Sequence, residues 1–376
     1  DQKTILRGGW GVYWNHYSAA VGSFLAAGPY AISTTANNNI VNGAPLFTFA
    51  NPFASPGAAS ALNLNAVTQN LRNAYTMQYT ATFERELYRD FAVRISYIGS
   101  RGVNQVYQRN VNQPPPSTTA FSAARRPWPG FNNIILADNG AYNSYNGLQT
   151  QVTKRFSKGF QFSSAWTWAR QLSEVDDTGN ADLNTAIENA YDRRRDRANV
   201  YSVPRHVWQN QALWELPLGQ RRFLKGWQFS SILNVSGGHW LNPQFAGADS
   251  AGTGATGGRP DLIGTVRYPQ SLTQWYDRTS FAVLSNNIGR FGNAPRNSIE
   301  GPGYVIFNGG IQKSTSLEKL GTVTFSATFQ NMLNHVNYGV PNLTVNNANG
   351  GVITSTHIFP AAGSSRTGQL GLRWMF

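Results

Sequence analysis

Histidine and aspartate are the residues here that would do chemistry most readily. The five histidines, His16, His206, His239, His335 and His357, stand near the ends of apolar-patterned segments or in the Gly- and Asn-rich stretches between them. Asp176, Asp177 and Asp182 are candidate acid partners. A His–Asp set at a surface rim would suit hydrolysis, but catalysis requires those groups within hydrogen-bond reach of each other, and sequence does not bring them there. No His-Glu-x-x-His pair and no Gly-x-Ser-x-Gly elbow is present. No catalytic residue is assigned, and the chain is not read as an enzyme. Asp176, Asp177, Asn180 and Asp182 also crowd oxygen donors into one turn, the ligand type of Ca²⁺. Their spacing is not that of an EF-hand, so solvated loop acids are expected, with Ca²⁺ as the alternative. Gly252-Thr253-Gly254-Ala255-Thr256-Gly257 matches a dinucleotide fingerprint literally. It follows no strand and opens no helix, and reads as a flexible loop tip. Arg193, Arg194, Arg195 and Arg197, with Arg125 and Arg126, form basic patches that would hold phosphates bidentately. Asp192 and Asp196, interleaved, would instead make a local salt-bridge network.

The elements that must position these groups follow from composition. Aromatics make up 13% of the 376 residues and charged residues only 13%, about half the charged share of a soluble domain. Mean hydropathy is −0.36, and no run approaches the roughly 18–20 apolar residues of a membrane-spanning helix. Cysteine is absent, which excludes disulfide scaffolds, thiolate metal sites and cysteine nucleophiles. The net charge of +13 suits anionic lipid headgroups; nucleic acid is not expected, because the basic residues are scattered and no reading helix is present. Asp1 to Asn15 lacks the basic start and apolar core of a signal peptide, so either a signal has been removed or an N-terminal part of a longer protein is missing.

Alternation of period two recurs along the chain. Leu370, Leu372, Trp374 and Phe376 fall on one face, with Gln369, Gly371, Arg373 and Met375 on the other. Phe160, Phe162, Trp166 and Trp168 stand against Gln161, Ser163 and Thr167, and Leu6, Trp10, Val12 and Trp14 against Arg7, Gly9, Gly11 and Tyr13. About ten such segments are read, at 3–14, 74–87, 90–101, 143–156, 159–171, 205–217, 226–238, 303–315, 321–333 and 365–376. Only 181–190 offers a modest helical pattern. The segments are longer than the ~5–6 residues of a globular strand and match the ~9–11 that cross a bilayer at a tilt.

A β-sandwich would alternate as well, but two features favour a membrane. Short links such as Tyr88-Arg89 and Ser157-Lys158 alternate with long ones, as periplasmic turns and extracellular loops do in outer-membrane barrels. Aromatics also gather at both ends of the apolar faces: Trp14, Tyr97, Trp166 and Trp168 toward the long loops, Phe160, Trp227, Trp374 and Phe376 toward the turns. Two such belts fit the two lipid–water interfaces. The expected fold is all-β, an antiparallel transmembrane barrel segment of about ten long strands. Its partners would be outer-membrane lipid and lipopolysaccharide.

Short motifs carry a family resemblance over essentially the whole chain. They include Leu6-Arg7-Gly8-Gly9-Trp10-Gly11-Val12-Tyr13, Glu84-Arg85-Glu86-Leu87, Asn112-Gln113-Pro114, Tyr145-Asn146-Gly147-Leu148-Gln149, Glu215-Leu216-Pro217-Leu218-Gly219 and Gln330-Asn331-Met332-Leu333-Asn334-His335. The chain resembles the Oar-like branch of TonB-dependent outer-membrane transporters. Its terminal Gly371-Leu372-Arg373-Trp374-Met375-Phe376 resembles the signal read by the barrel-assembly machinery. The resemblance implies that residues 1–376 are the C-terminal part of a 22-stranded barrel, without its plug and N-terminal domains. It further implies capture of an unknown extracellular ligand by the loops, and passage energised by TonB acting on the missing plug. Arg7, Arg94, Arg155 and Arg373 are the candidate lumenal residues, partly offset by Glu84 and Glu215. The competing expectation is a self-contained ten-stranded barrel, acting as a rim-site hydrolase or as a surface-binding adhesive protein.

Overall fold

The computed structural model describes residues 3–15, 24–25, 40–41, 43–45, 48–49, 62–175, 186–219, 221, 223–317, 320–356 and 365–376. Ten long strands dominate it. They are Thr4–Asn15 (β1), Ala74–Tyr88 (β2), Phe91–Asn110 (β3), Phe131–Ser157 (β4), Phe160–Ser173 (β5), His206–Glu215 (β6), Trp227–Ser236 (β7), Tyr304–Ser316 (β8), Thr322–Gln330 (β9) and Thr367–Met375 (β10). Each is antiparallel to its neighbour in sequence, so sheet order is chain order. β1 and β10 are the two ends of the sheet, and among the described residues they do not pair with each other.

The register carries each face unbroken from strand to strand. On one side Trp10 lies opposite Tyr79, Phe83 opposite Ile95, Leu148 opposite Trp168, Trp166 opposite Trp208, Trp214 opposite Phe229 and Phe325 opposite Leu372. On the other, Glu84 faces Arg94, Gln149 faces Thr167, Gln211 faces Ser163, Ser230 faces Gly310 and Ser326 faces Gly371. A slip of one residue anywhere would mix the two sets, so the alternation itself fixes the register.

Turn chemistry closes one end. At the hairpin between β4 and β5, Lys158 and Gly159 have φ of 51° and 76°, the doubly positive pair whose twist matches two-residue hairpins. Gly226, at φ 85° and just before β7, lies so close to β8 that a Cβ would stand 2.7 Å from the Ser314 carbonyl oxygen. The opposite end carries the long connections, and there the molecule keeps its protein-built core. Leu241, Phe245, Tyr276, Phe281, Leu284, Ala294, Ile299 and Val345 bury one another in the loops between β7 and β8 and between β9 and β10. The apolar face of the strands has no such cover: Leu6, Trp10, Leu370 and Leu372 are all exposed.

Two expectations change. β3 and β4 run on to Asn110 and back from Phe131, well past the segments the alternation marked. Register shifts at Gly102–Gln105 and Gln105–Val106 break the period that sequence reading follows, while the ladder resumes beyond them. The strand Leu62–Val67 pairs in parallel along this extension, and Asn112, wholly buried, ties its tip by donating from Nδ2 to the carbonyls of Trp128, Phe131 and Asn132. Of the helical candidate 181–190, residues 181–185 lie outside the described residues; Ala186 makes a β-bridge to Gln108 instead of a helical turn.

Candidate functional site

The polar face of the sheet and the loop cluster at its end are the two surfaces a solute would meet. The polar face is walled by short neutral side chains. Ser163, Gln211, Ser230, Asn308, Gly310 and Thr328, interrupted by Leu213 and Ile232, line a cavity of about 510 Å³ against it. Gln151 Nε2 donates to Ser163 Oγ at 3.3 Å, which holds one rung of that wall.

The lumenal candidates separate. Arg7 and Arg94 both reach Glu84 Oε2, at 3.5 Å and 3.3 Å, because β1, β2 and β3 set them side by side. All three are solvent-accessible, so this triad contributes potential more than stability. Arg155 lies at the turn end, where its backbone amide donates to the Asp90 carbonyl, and Arg373 lies opposite Thr324 on the terminal strand β10. The structure does not bring these two to the triad. Glu215 sits beside Gly159 at the same turn.

The aromatic candidates stand on the apolar face at its two ends. Trp14 packs on Tyr75, and Tyr97 donates to Asn146 Oδ1 at 2.7 Å; Trp166 and Trp168 are exposed. At the turn end the indole N–H of Trp227 donates to the Phe223 carbonyl and that of Trp374 to the Leu320 carbonyl, while Phe376 is fully exposed. Exposed rings at the ends of an apolar face, with indole N–H groups satisfied by turn carbonyls, are what an interfacial belt would present. Trp208 and Trp214 belong to the same face and were missed, although their alternation in His206–Glu215 was visible.

The loop cluster corrects the basic patches. Arg193 Nε donates to Glu174 at 2.7 Å, and Arg195 pairs with Glu188 at 2.9 Å. Arg259, with only 4% of its side chain exposed, bridges Glu188 at 2.8 Å and Asp196 at 3.0 Å. Arg125 is spent on the carbonyls of Pro115, Thr119, Ala120 and Gly252, and Arg126 on those of Asn112 and Asn132. These arginines staple loops together and do not form an open anion surface; Arg194 and Arg197 remain exposed. Burial pushes the Asp196 carboxyl up, against the pull of Arg259 and Arg296. Together with Glu188, Asn242 and Arg296 it lines a cavity of about 220 Å³.

Of the remaining candidates, two histidines among the described residues pack against aromatic rings. His206 stacks on Trp166 at 5.7 Å, and His239 stacks on Tyr201 at 4.7 Å with Nδ1 donating to the Tyr201 carbonyl. His16, His357, Asp176, Asp177, Asn180 and Asp182 lie outside the described residues. Among the described residues no three His, Cys, Asp or Glu converge as a metal site would require. Gly252 to Gly257 is a loop, but not a loose tip: the Asp249 carboxylate accepts from the amides of Thr253 and Gly254 and fixes it.

Comparison with known proteins agrees with this architecture. The family described as Outer membrane beta barrel domain matches residues 1–369, and the chain belongs to it. It is an antiparallel β-barrel domain of the bacterial outer membrane. Among solved structures it is similar to the outer membrane transporter YddB from Escherichia coli, at 9% identity and a TM-score of 0.53, over 99% of this chain and 38% of that one. The siderophore receptor PiuA from Acinetobacter baumannii aligns at 6% identity and a TM-score of 0.45, over 100% of this chain and 34% of that one. FpvA of P. aeruginosa, solved with a bound pyoverdine, aligns at 10% identity and a TM-score of 0.42, over 81% and 27%. The chain thus spans under two fifths of each of these structures. Among curated proteins, none matches its sequence.

Proposed function

We propose that this chain is the C-terminal ten strands of a TonB-dependent receptor of the Oar-like branch, within a 22-stranded barrel. The observation that carries the reading is the sheet itself: ten strands, polar on one face and apolar on the other, whose outermost members β1 and β10 do not join each other among the described residues. An exposed edge in a bilayer leaves a row of unpaired amides and carbonyls, so each edge calls for a further strand. The likeness to YddB over 38% of its length supports the same reading. In this function the long loops capture an extracellular ligand and the neutral polar wall lines its path. A plug supplied by the rest of the protein moves when TonB transmits energy. The strand ending at Phe376 is the part offered to the barrel-assembly machinery. In this reading the protein acts as a receptor and transporter and makes or breaks no bond.

The test is uptake by cells with and without the full-length protein, each with TonB intact or inactivated. Solutes depleted from the medium are profiled by mass spectrometry. Depletion of at least one solute only when both proteins are active is expected. Depletion that persists without TonB, or no protein-dependent depletion at all, would sink the transport reading. An electron-microscopy reconstruction showing a closed ten-stranded barrel would sink the fragment reading.

A further inference from the structure

Arg101 and Arg170 differ from the loop arginines in lying on the long strands of the sheet. Both side chains lie on the apolar, lipid-facing side of the sheet: Arg101 is opposite Met77 and Ser144, and Arg170 is opposite Asn146. Both are exposed, and among the described residues neither guanidinium has a carboxylate or hydrogen-bond partner. Each lies further toward the loop end than the belt aromatics of its own strand, four positions beyond Tyr97 and two beyond Trp168. On alternating strands those are same-face steps of roughly 7–14 Å. That carries both guanidinia out of the hydrocarbon and into the headgroup layer, where long cationic side chains extend naturally.

Their mutual placement is that of a clamp. β3 and β5 flank β4, and the two arginines are offset by two residues across it. Two interstrand steps and that offset put the Cα atoms about 12 Å apart, within joint reach of one phosphorylated headgroup. Between them Ser144 and Asn146 present small polar side chains on the same face, and Tyr97 fixes the Asn146 amide by donating to its Oδ1 at 2.7 Å. A guanidinium takes phosphate oxygens bidentately, which a lone cation facing lipid would otherwise lack.

We infer that Arg101 and Arg170 form a binding site for the phosphate of an anionic glycolipid of the outer leaflet, the lipid A portion of lipopolysaccharide. The site lies on the outside of the wall and is independent of what the lumen carries. It replaces Arg125, Arg126 and Arg193 to Arg197, whose main members are held by carboxylates and carbonyls, as the place where this protein grips the lipid around it.

The experiment uses the full-length protein in nanodiscs of phosphatidylcholine containing lipid A, lipid A stripped of its phosphates, or neither. Bound lipid A is counted by native mass spectrometry. The wild type is expected to retain lipid A and not the dephosphorylated form. Arg101→Ala with Arg170→Ala is expected to lower retention by about tenfold or more, the worth of a charge-assisted hydrogen bond. Folding is checked by heat-modifiable migration on gels. Should the double alanine variant not fold, Arg101→Lys with Arg170→Lys carries the same test: it keeps the charge, loses the bidentate fork, and is expected to lose retention several-fold. Undiminished retention in the folded variant, or equal retention of the dephosphorylated lipid, overturns the proposal. Release of lipid A by excess inorganic phosphate marks a free-anion site and overturns the lipid assignment.

Discussion

Replacing Arg259 by methionine tests whether the extracellular loops are held by buried charge. The Arg259 guanidinium donates from Nε to Glu188 Oε2 at 2.8 Å and pairs through Nη2 with Glu188 and with Asp196 Oδ1 at 3.0 Å. Its side chain is 4% exposed and that of Asp196 6%. Methionine conserves much of the volume but leaves Asp196 without its ion pair, whereas Glu188 retains Arg195 at 2.9 Å. Removing one partner of a buried pair costs about 3–5 kcal/mol. Because Glu188 is still compensated, the lower end applies, and ~3 kcal/mol corresponds to a rise of roughly a hundredfold in the open population. The assay is hydrogen exchange on the full-length protein in detergent, followed over residues 186–200 and 256–262. Exchange there should accelerate by about that factor, while β5 and β6 keep their protection. Adding Glu188→Gln and Asp196→Asn should recover part of the loss. Unchanged exchange in the single variant, or equal acceleration in the strands, would refute the idea that this network holds the loops as a unit.

Three further outcomes follow. The folded Asp196 carboxyl titrates above its unfolded value because of burial, so the folded loops bind its proton more tightly. Their stability is therefore greatest below the unfolded carboxyl value and declines as pH rises through the raised one. Loop exchange, corrected for intrinsic rate, should speed up over that interval in the wild type and not in Asp196→Asn. Asp261, held low chiefly by its hydrogen bonds with Arg290, has the opposite sign: its contribution is present above the unfolded value and lost as pH falls through the depressed one. At the turn end, Gly226→Ala would place a methyl 2.7 Å from the Ser314 carbonyl at φ 85°. A loss of about 1–3 kcal/mol in urea unfolding from lipid vesicles is expected, and a neutral result would show that the β7–β8 junction gives way freely.

How far the sequence reached can be judged from particular elements. All ten long strands were legible, because a wall between lipid and a polar interior imposes a strict period of two on every strand that crosses it. Leu370, Leu372 and Trp374 declare their face with no knowledge of what lies opposite. The turn between β4 and β5 was legible to within one residue: the short link reads as Ser157-Lys158, and the structure puts the positive-φ pair at Lys158 and Gly159. The extension of β3 and β4 was not: bulges near Gly102 and Gln105 interrupt the period, and the pairing that continues beyond them rests on backbone bonds that side chains do not advertise.

The loops mark the boundary most clearly. Arg193 to Arg197 read as a basic patch or as a local network, and composition gave no means of choosing between them. Only the tertiary structure decided, by bringing Arg259 from more than sixty residues away to Asp196 and Glu188, and by pairing Glu174 with Arg193 and Glu188 with Arg195. Arg101 and Arg170 were not singled out in the sequence at all; the pairing of β3, β4 and β5 is what sets them on one face. Periodicity is a local property written along the chain, so the wall could be read from it. Which charge meets which is a property of residues far apart in sequence, and it exists only once the chain has folded.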